Sequence, residues 1–388
     1  MAILSASVGA GHMRAAQALE RLGRDAPLKV RSLDVLELFP RPFQALYKDA
    51  YLEMVGKAPV LFEWIYELTD RPFAADILRT AFEEASAIKF FAEMEEYRPD
   101  LVLCTHFLPS TLLALRRRKK LFAGKIFTVV TDFDVHGMWL ATPSDHTFVA
   151  VEEARAYLAS FGIDPATITV SGIPTDPVFA LSKDRLELAS RHGLRTDLPT
   201  LLISSGGFGV TNVTEILDAL AGLAVPVQVI TACGRNKALK ADLDAYAARH
   251  PERHLHVLGF TDAMDEYMEL ADLMVGKPGG LTTWESFQKG LAWVVVNPIP
   301  GQEERNTYHL LEEGVGIWCY EPRTLAFKLG QLLRDPERLA AMQAAARRLA
   351  RPDAGHVIWE KAFEALELEG GGQSLSGAKA SPCASSPP

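Results

Sequence analysis

Short apolar, β-branched runs alternate with stretches of helical hydrophobic spacing almost to the end of the chain. The runs predict strands at Ala2–Ala6, Leu28–Leu33, Leu101–Cys104, Ile126–Thr131, Thr147–Val151 and Thr167–Val170. A second set follows at Thr200–Ser204, Val227–Thr231, His254–Leu258, Leu273–Val275, Trp293–Asn297 and Gly316–Cys319. Between them lie amphipathic patterns such as Met13–Gly23, Asn212–Leu223 and Lys237–His250. The strands are continuous apolar runs instead of alternating ones, as expected of parallel sheets covered on both faces by crossover helices. The fold class is α/β.

The rhythm restarts near Thr200. Just upstream, Gly172-Ile173-Pro174-Thr175-Asp176-Pro177 is rich in turn formers and leads into a charged helix ending near Arg195. A junction there predicts an N-terminal Rossmann-like domain over 1–175 and a C-terminal one over 176–369, their parallel sheets facing across a cleft. Ligands in such folds bind at the carboxyl ends of the strands. The last stretch, 370–388, is mostly Gly, Ser, Ala and Pro with Lys379 as its only side-chain charge, and is expected to be disordered.

Composition narrows the classes. The chain has 388 residues, 48% hydrophobic and 23% charged, which suits two soluble domains. No apolar run reaches the roughly 18–20 residues of a membrane span, and the first residues lack the basic-then-apolar pattern of a secretory leader. A net charge of −9 argues against general nucleic-acid binding. Cys104, Cys233, Cys319 and Cys383 are far apart, without a C-x-x-C, which disfavours a zinc site or disulfide scaffold and fits a reducing cytoplasm.

Three glycine-rich turns carry the candidate chemistry. The first strand runs into Ser7-Val8-Gly9-Ala10-Gly11-His12 and then an alanine-rich helix. Gly9 and Gly11 permit close backbone approach, and the helix start offers free N–H groups. The positive end of the helix dipole disfavours imidazolium at His12, so a neutral ring can take a proton from a hydroxyl; otherwise His12 caps the loop. The second half opens on Leu202-Ile203-Ser204-Ser205-Gly206-Gly207-Phe208-Gly209, again strand into glycine turn. Either turn alone also suits any α/β protein, but one per domain at corresponding places would face each other across a cleft. The third is Gly276-Lys277-Pro278-Gly279-Gly280-Leu281-Thr282-Thr283-Trp284-Glu285. Its glycines and the hydroxyls of Thr282 and Thr283 would form a preformed site for a diphosphate. Glu285, expected on the first helical turn, would take the hydroxyls of a ribose or else complement the helix dipole.

These residues resemble a known family. Gly259-Phe260-Thr261, Ala271-Asp272-Leu273, Gly276 through Glu285, and Asn297-Pro298-Ile299-Pro300-Gly301-Gln302-Glu303-Glu304-Arg305-Asn306 are similar to the monogalactosyldiacylglycerol synthase and processive diacylglycerol glucosyltransferase family. So are Ser5 through His12 with Ala15-Ala16, Thr131-Asp132 with His136 and Trp139, and Cys233-Gly234-Arg235-Asn236; the likeness runs from Ile3 to about Leu366. The resemblance implies a GT-B fold and an inverting glycosyltransferase. It would move glucose or galactose from a UDP-sugar to diacylglycerol or a glycosyl-diacylglycerol. Gly279, Gly280 and Thr282 would hold the diphosphate, Glu285 the ribose and the backbone near Phe260 the uracil. Gln302, Glu303 and Asn306 would lie at the sugar and diphosphate, and His12 would be the candidate base. Gly9, Gly11, His136 and Trp139 would lie on the acceptor side. Trp284 stands where a small residue is common and would crowd the site.

The leaving UDP needs its growing charge stabilised, which fixed N–H groups at Gly279–Thr282 and the Arg235 cation can supply without a metal or cofactor. Arg235 could instead serve a structural ion pair. Asp132-Phe133-Asp134 is a D-x-D, a pattern that elsewhere binds a divalent ion, but it ends a first-domain strand, whereas the diphosphate turn is in the second domain. A structural or acceptor-side role is favoured, with Asp132 or His136 orienting the acceptor or acting as base in place of His12. Residues 39–75 hold Phe39, Phe43, Leu46, Tyr47, Tyr51, Leu52, Phe62, Trp64, Ile65, Tyr66 and Phe73, a core hairpin with any surplus free to meet a bilayer. Arg116-Arg117-Arg118-Lys119-Lys120 could add attraction to an anionic leaflet, placing the protein peripherally on the inner face of the cell membrane. A UDP-sugar 2-epimerase, a nucleotide-sugar sensor and a transferase to a polyprenyl-linked acceptor are the competing readings.

Overall fold

The computed structural model describes residues 1–49, 54, 58–70, 77–140, 144–204 and 213–367, and among these twelve strands form two six-stranded parallel sheets. The first contains β1 (Ala2–Ser5), β2 (Arg31–Asp34), β3 (Leu101–Cys104), β4 (Lys125–Val129), β5 (His146–Val149) and β6 (Ile168–Val170), in the order β2-β1-β3-β4-β5-β6. The second contains β7 (Thr200–Ser204), β8 (Gln228–Ala232), β9 (Leu255–Leu258), β10 (Leu273–Gly276), β11 (Ala292–Val296) and β12 (Gly316–Cys319), in the order β12-β11-β10-β7-β8-β9. Every expected strand is present, with ends shifted by a few residues.

Strand order reverses direction between β1 and β3 in the first sheet, where Leu4 pairs with Cys104, and between β7 and β10 in the second, where Ser204 pairs with Gly276. Crossover helices leave opposite faces at such a point and open a crevice at the strand carboxyl ends. Six helices matter here: α1 (Ala10–Leu22), α2 (Pro59–Thr69), α3 (Phe107–Arg118), α4 (Gly280–Gln288), α5 (Gln302–Glu312) and α6 (Ala354–Ala365). In chain order α1 follows β1, α3 follows β3, and α4 follows β10, so each reversal is flanked by helix starts.

The two halves share a hydrophobic cluster in which Phe133 and Ile173 of the first meet Met274, Trp284 and Phe287 of the second. Trp284 is buried there, its ring 5.5 Å from that of Phe133. It fills the seam between the halves and does not crowd a ligand site.

The segment 176–369 does not all lie with the second sheet. Helix α6 returns to the first, where Ile358, Trp359, Ala362 and Phe363 are buried with Ile3, Leu19, Phe127 and Phe148. Trp359 Nε1 donates to the Leu19 carbonyl at 2.9 Å. The apolar face of α6 covers a sheet that its own domain does not contain. Residues 370–388 lie outside the described residues, as do Tyr51, Leu52, Phe73, Gly206 and Gly207.

Candidate active site

At the reversal point of the first sheet, His12 sits on the first turn of α1, held by the end of β3. Its Nδ1 lies 3.1 Å from the Thr105 carbonyl and 2.7 Å from Thr131 Oγ1. A carbonyl only accepts, so Nδ1 carries the proton, and Nε2 presents a lone pair that has no partner among the described residues. Thr105 Oγ1 donates back to the His12 carbonyl at 3.1 Å, which fixes ring and backbone together. Burial lowers the His12 pKa, opposed by the charge of Asp132 and by the Thr105 carbonyl. The ring is therefore neutral and aimed, as a proton acceptor requires.

His106, which the sequence reading did not single out, meets His12 edge to face at 4.7 Å between ring centres. Its Nδ1 accepts the Leu108 N–H at 3.1 Å and so caps α3. Burial, then the neighbouring His12, holds its pKa well below the usual histidine range. Trp139 is buried 6.3 Å from both imidazoles. Thr105 and His106 follow β3, so only the strand order places them beside His12.

His136 is a poor alternative base. Its Nε2 donates to the Tyr66 carbonyl at 3.0 Å and its Nδ1 accepts the Met138 N–H at 3.2 Å, leaving neither nitrogen free. Asp132 accepts from Gln302 Nε2 at 2.8 Å. Asp134 lies 3.8 Å from Arg305 Nε instead. The two carboxylates of the D-x-D engage separate partners, with Phe133 packed into the seam between them.

Across the cleft, α4 starts at the reversal point of the second sheet. Gly279 is its N-cap, and no side chain caps the helix. The N–H groups of its first turn thus lack intrahelical or side-chain acceptors, the condition under which a helix start can receive an anion. Asn306 Nδ2 donates to the Pro278 carbonyl at 2.9 Å and pins this turn, while Asn306 Oδ1 is buried without a partner. Glu303 accepts the Ile299 N–H at 2.7 Å, and burial lifts its pKa to about 7. Arg235 has no carboxylate partner among the described residues; its guanidinium stacks 5.0 Å from the Phe260 ring centre, and Phe260 is 60% exposed.

Two expectations change. Thr283 is fully buried and its hydroxyl has no partner, so it faces the core and only Thr282 is left to meet a ligand. Glu285 lies on the second turn of α4, 1% exposed, where dipole stabilisation has faded; its Oε1 pairs with Arg14 of α1 at 2.5 Å and its Oε2 is buried without a partner. Burial raises its pKa to about 7 against the pull of Arg14.

The glycines make this juxtaposition possible. A Cβ on Gly280 would lie 2.5 Å from the Thr131 carbonyl, and one on Gly11 would lie 3.7 Å from Leu281 Cβ. The start of α4 therefore abuts Thr131, the residue that touches His12.

The region 39–75 divides as a hairpin with a surplus. Phe39, Phe43 and Phe62 are buried, whereas α2 turns Val60, Leu61, Trp64 and Leu68 outward, Trp64 being 60% exposed. The basic run is mostly neutralised within the protein. Arg116 pairs with Glu95 and Arg117 with Asp145, both at 2.6 Å, and Lys119 pairs with Glu84. None of the described helices is long and apolar enough to cross a membrane.

Known proteins share both halves. The family model for monogalactosyldiacylglycerol (MGDG) synthase matches residues 12–175, and that for the glycosyltransferase family 28 C-terminal domain matches 205–357. The processive diacylglycerol beta-glucosyltransferase of Bacillus pumilus is 31% identical over 276 residues, 70% of each chain. That of Bacillus licheniformis is 27% identical over 377 residues, 94% of this chain and 95% of its own. Among solved structures, MurG of Acinetobacter baumannii has a TM-score of 0.57 at 17% identity, covering 94% of this chain and 99% of its own. A putative UDP-N-acetylglucosamine 2-epimerase from Listeria monocytogenes has a TM-score of 0.61 at 16% identity, covering 95% and 97%. Transferases and epimerases thus share the GT-B fold, and sequence decides between them: the chain belongs to the monogalactosyldiacylglycerol synthase and diacylglycerol glucosyltransferase family of UDP-sugar glycosyltransferases.

Proposed function

We propose that the protein transfers a glucosyl or galactosyl group from its UDP-sugar to diacylglycerol or a glycosyl-diacylglycerol, with inversion at the anomeric carbon. The carrying observation is the neutral His12, its Nε2 without a partner among the described residues, beside the uncapped start of α4: Thr131 holds its Nδ1, and a Cβ on Gly280 would meet the Thr131 carbonyl. In this reading the acceptor hydroxyl gives its proton to Nε2 as its oxygen attacks the anomeric carbon. The bond to the UDP oxygen breaks on the opposite face, and a single displacement inverts the centre. Asp132, whose charge already favours protonated His12, stabilises the imidazolium that forms.

The leaving diphosphate is met by the amides at the start of α4, with the Arg235 cation nearby, so no metal or cofactor is assigned. One well-placed donor of this kind is worth roughly 2.7–4 kcal/mol of transition-state stabilisation. Glu285 takes the ribose, Phe260 with its backbone frames the uracil, and Gln302, Glu303 and Asn306 surround the sugar and diphosphate. The outward face of α2 supports peripheral contact with the inner leaflet of the cell membrane; the paired basic run leaves Arg118 and Lys120 as the only cations there without a carboxylate partner among the described residues.

Incubation with UDP-glucose or UDP-galactose and diacylglycerol, with and without chelator, tests the reading. A β-linked glycolipid formed in both conditions supports it. An epimer from UDP-sugar alone, a product only from a polyprenyl-linked acceptor, or activity abolished by chelator counts against it.

A further inference from the structure

Helix α2 has two working faces. Val60, Leu61, Trp64 and Leu68 point outward, whereas Tyr66 and, just past its end, Asp70 point toward α5. Arg305, on the first turn of α5, meets both. Its Nη2 lies 2.5 Å from Asp70 Oδ2, and its guanidinium sits 5.3 Å from the Tyr66 ring centre. Asp70 Oδ1 at the same time accepts the Gly137 N–H at 2.7 Å, so this carboxylate anchors the loop after β4 as well. The Tyr66 ring covers Gly301, where φ is +78° and a Cβ would come within 2.6 Å of the ring. The next residue is Gln302, bonded to Asp132.

We propose that Arg305 is a positioning residue: paired with Asp70 and lodged against Tyr66, it ties the lipid-side helix α2 to the Pro300–Gln302 turn, so that α2 sets where Gln302 and Glu303 stand relative to the donor sugar. The inference rests on the reading of those two residues as sugar-side groups. The physical ground is that α2 and the start of α5 belong to different halves yet share one ion pair, one cation–ring contact and one ring-on-glycine contact. Neither can shift by an ångström without the other, and misplacement on that scale costs rate far more than it costs binding of the distal nucleotide.

The test compares wild type with Asp70→Asn, Arg305→Lys and Arg305→Asp. UDP affinity is measured by calorimetry, and kcat and KM are measured for whichever UDP-sugar the wild type uses with diacylglycerol vesicles. Asp70→Asn and Arg305→Asp are expected to lower kcat/KM for the UDP-sugar by about tenfold or more while the UDP Kd stays within about twofold. Arg305→Lys should lose less than Arg305→Asp. Amide hydrogen exchange at Gly301–Glu303 should quicken in Asp70→Asn, a readout that needs no turnover. Unchanged exchange, unchanged kcat/KM, or a UDP Kd that weakens in step with kcat/KM each overturns the coupling. A wild type that binds UDP and transfers no sugar would overturn the proposed reaction instead, and the exchange result would still decide whether α2 and the turn are linked.

Discussion

Arg14 and Glu285 pair directly across the boundary between the halves, Nη2 to Oε1 at 2.5 Å, so a cation of the first half holds the carboxylate proposed to take the ribose in the second. Arg14 is 40% exposed in its side chain whereas Glu285 is buried, which makes the pair asymmetric: solvent can take over the cation but not the carboxylate. Ribose hydroxyls would give Glu285 Oε2 the partners it lacks.

That burial predicts a pH dependence of stability. Glu285 and Glu303 are each raised from 4.5 to about 7. Between those values the folded chain holds protons that the unfolded chain has released. Each carboxyl therefore favours folding fully below about pH 4.5 and loses that contribution as pH rises through 7. Relative to wild type, Glu285→Gln should gain stability on going from about pH 5 to about pH 8, by up to roughly 2–3 kcal/mol. Urea unfolding at the two pH values measures it; a difference that stays constant contradicts the buried carboxyl.

His12→Ala should lower kcat by about 10²–10⁴-fold, the usual worth of a general base, with UDP affinity kept. Asp132→Asn carries a finer prediction. The Asp132 charge raises the His12 pKa against burial, so its removal lets that pKa fall further. The acidic limb of the kcat profile should move to lower pH while the plateau drops. A limb that moves upward, or does not move, assigns the titration to another group.

Gly280→Ala places a methyl where the Thr131 carbonyl stands. The first half must retreat from α4, and the gap between cradle and His12 widens. A fall in kcat of about 10²-fold is expected, on the scale of an ångström-sized misplacement, with UDP still bound. Turnover near that of wild type would show that the halves are already apart when sugar is transferred.

Trp64→Ser with Leu68→Ser removes two outward apolar side chains of α2 without touching its cleft-facing residues. Retention on vesicles should fall severalfold, at about 25 cal/mol per Å² of apolar surface withdrawn from lipid. Neutralising Arg116, Arg117 and Lys119 should matter less, since each already has a carboxylate partner. The opposite ranking in a flotation assay would place the membrane contact on the basic run.

Most strands were legible because they are buried apolar runs: Leu101–Cys104 and Thr200–Ser204 begin and end where the pattern says, as does the half-buried Gly316–Cys319. The glycine turns were legible for the same local reason. Contacts between the halves were not. Nothing near Arg14 names Glu285, 271 positions away, and nothing near Arg305 names Asp70, 235 positions away. The basic run looked like a free patch because Glu84, Glu95 and Asp145 reach it from three other elements. Thr105 and His106 needed the strand order, and α6 needed knowledge of which sheet still had a bare face. Local spacing reports periodicity, while these facts depend on how distant segments meet.

The chain passes between the halves twice, once near Gly172 and again near Arg351 on its way to α6. The two passages lie side by side, for a Cβ on Gly172 would sit 2.8 Å from Arg351 Cβ and 2.7 Å from the Trp284 ring. Paired tethers at one edge act as a door's twin pins. Any parting of the halves would be smallest at Gly172 and Arg351 and would grow with distance from them.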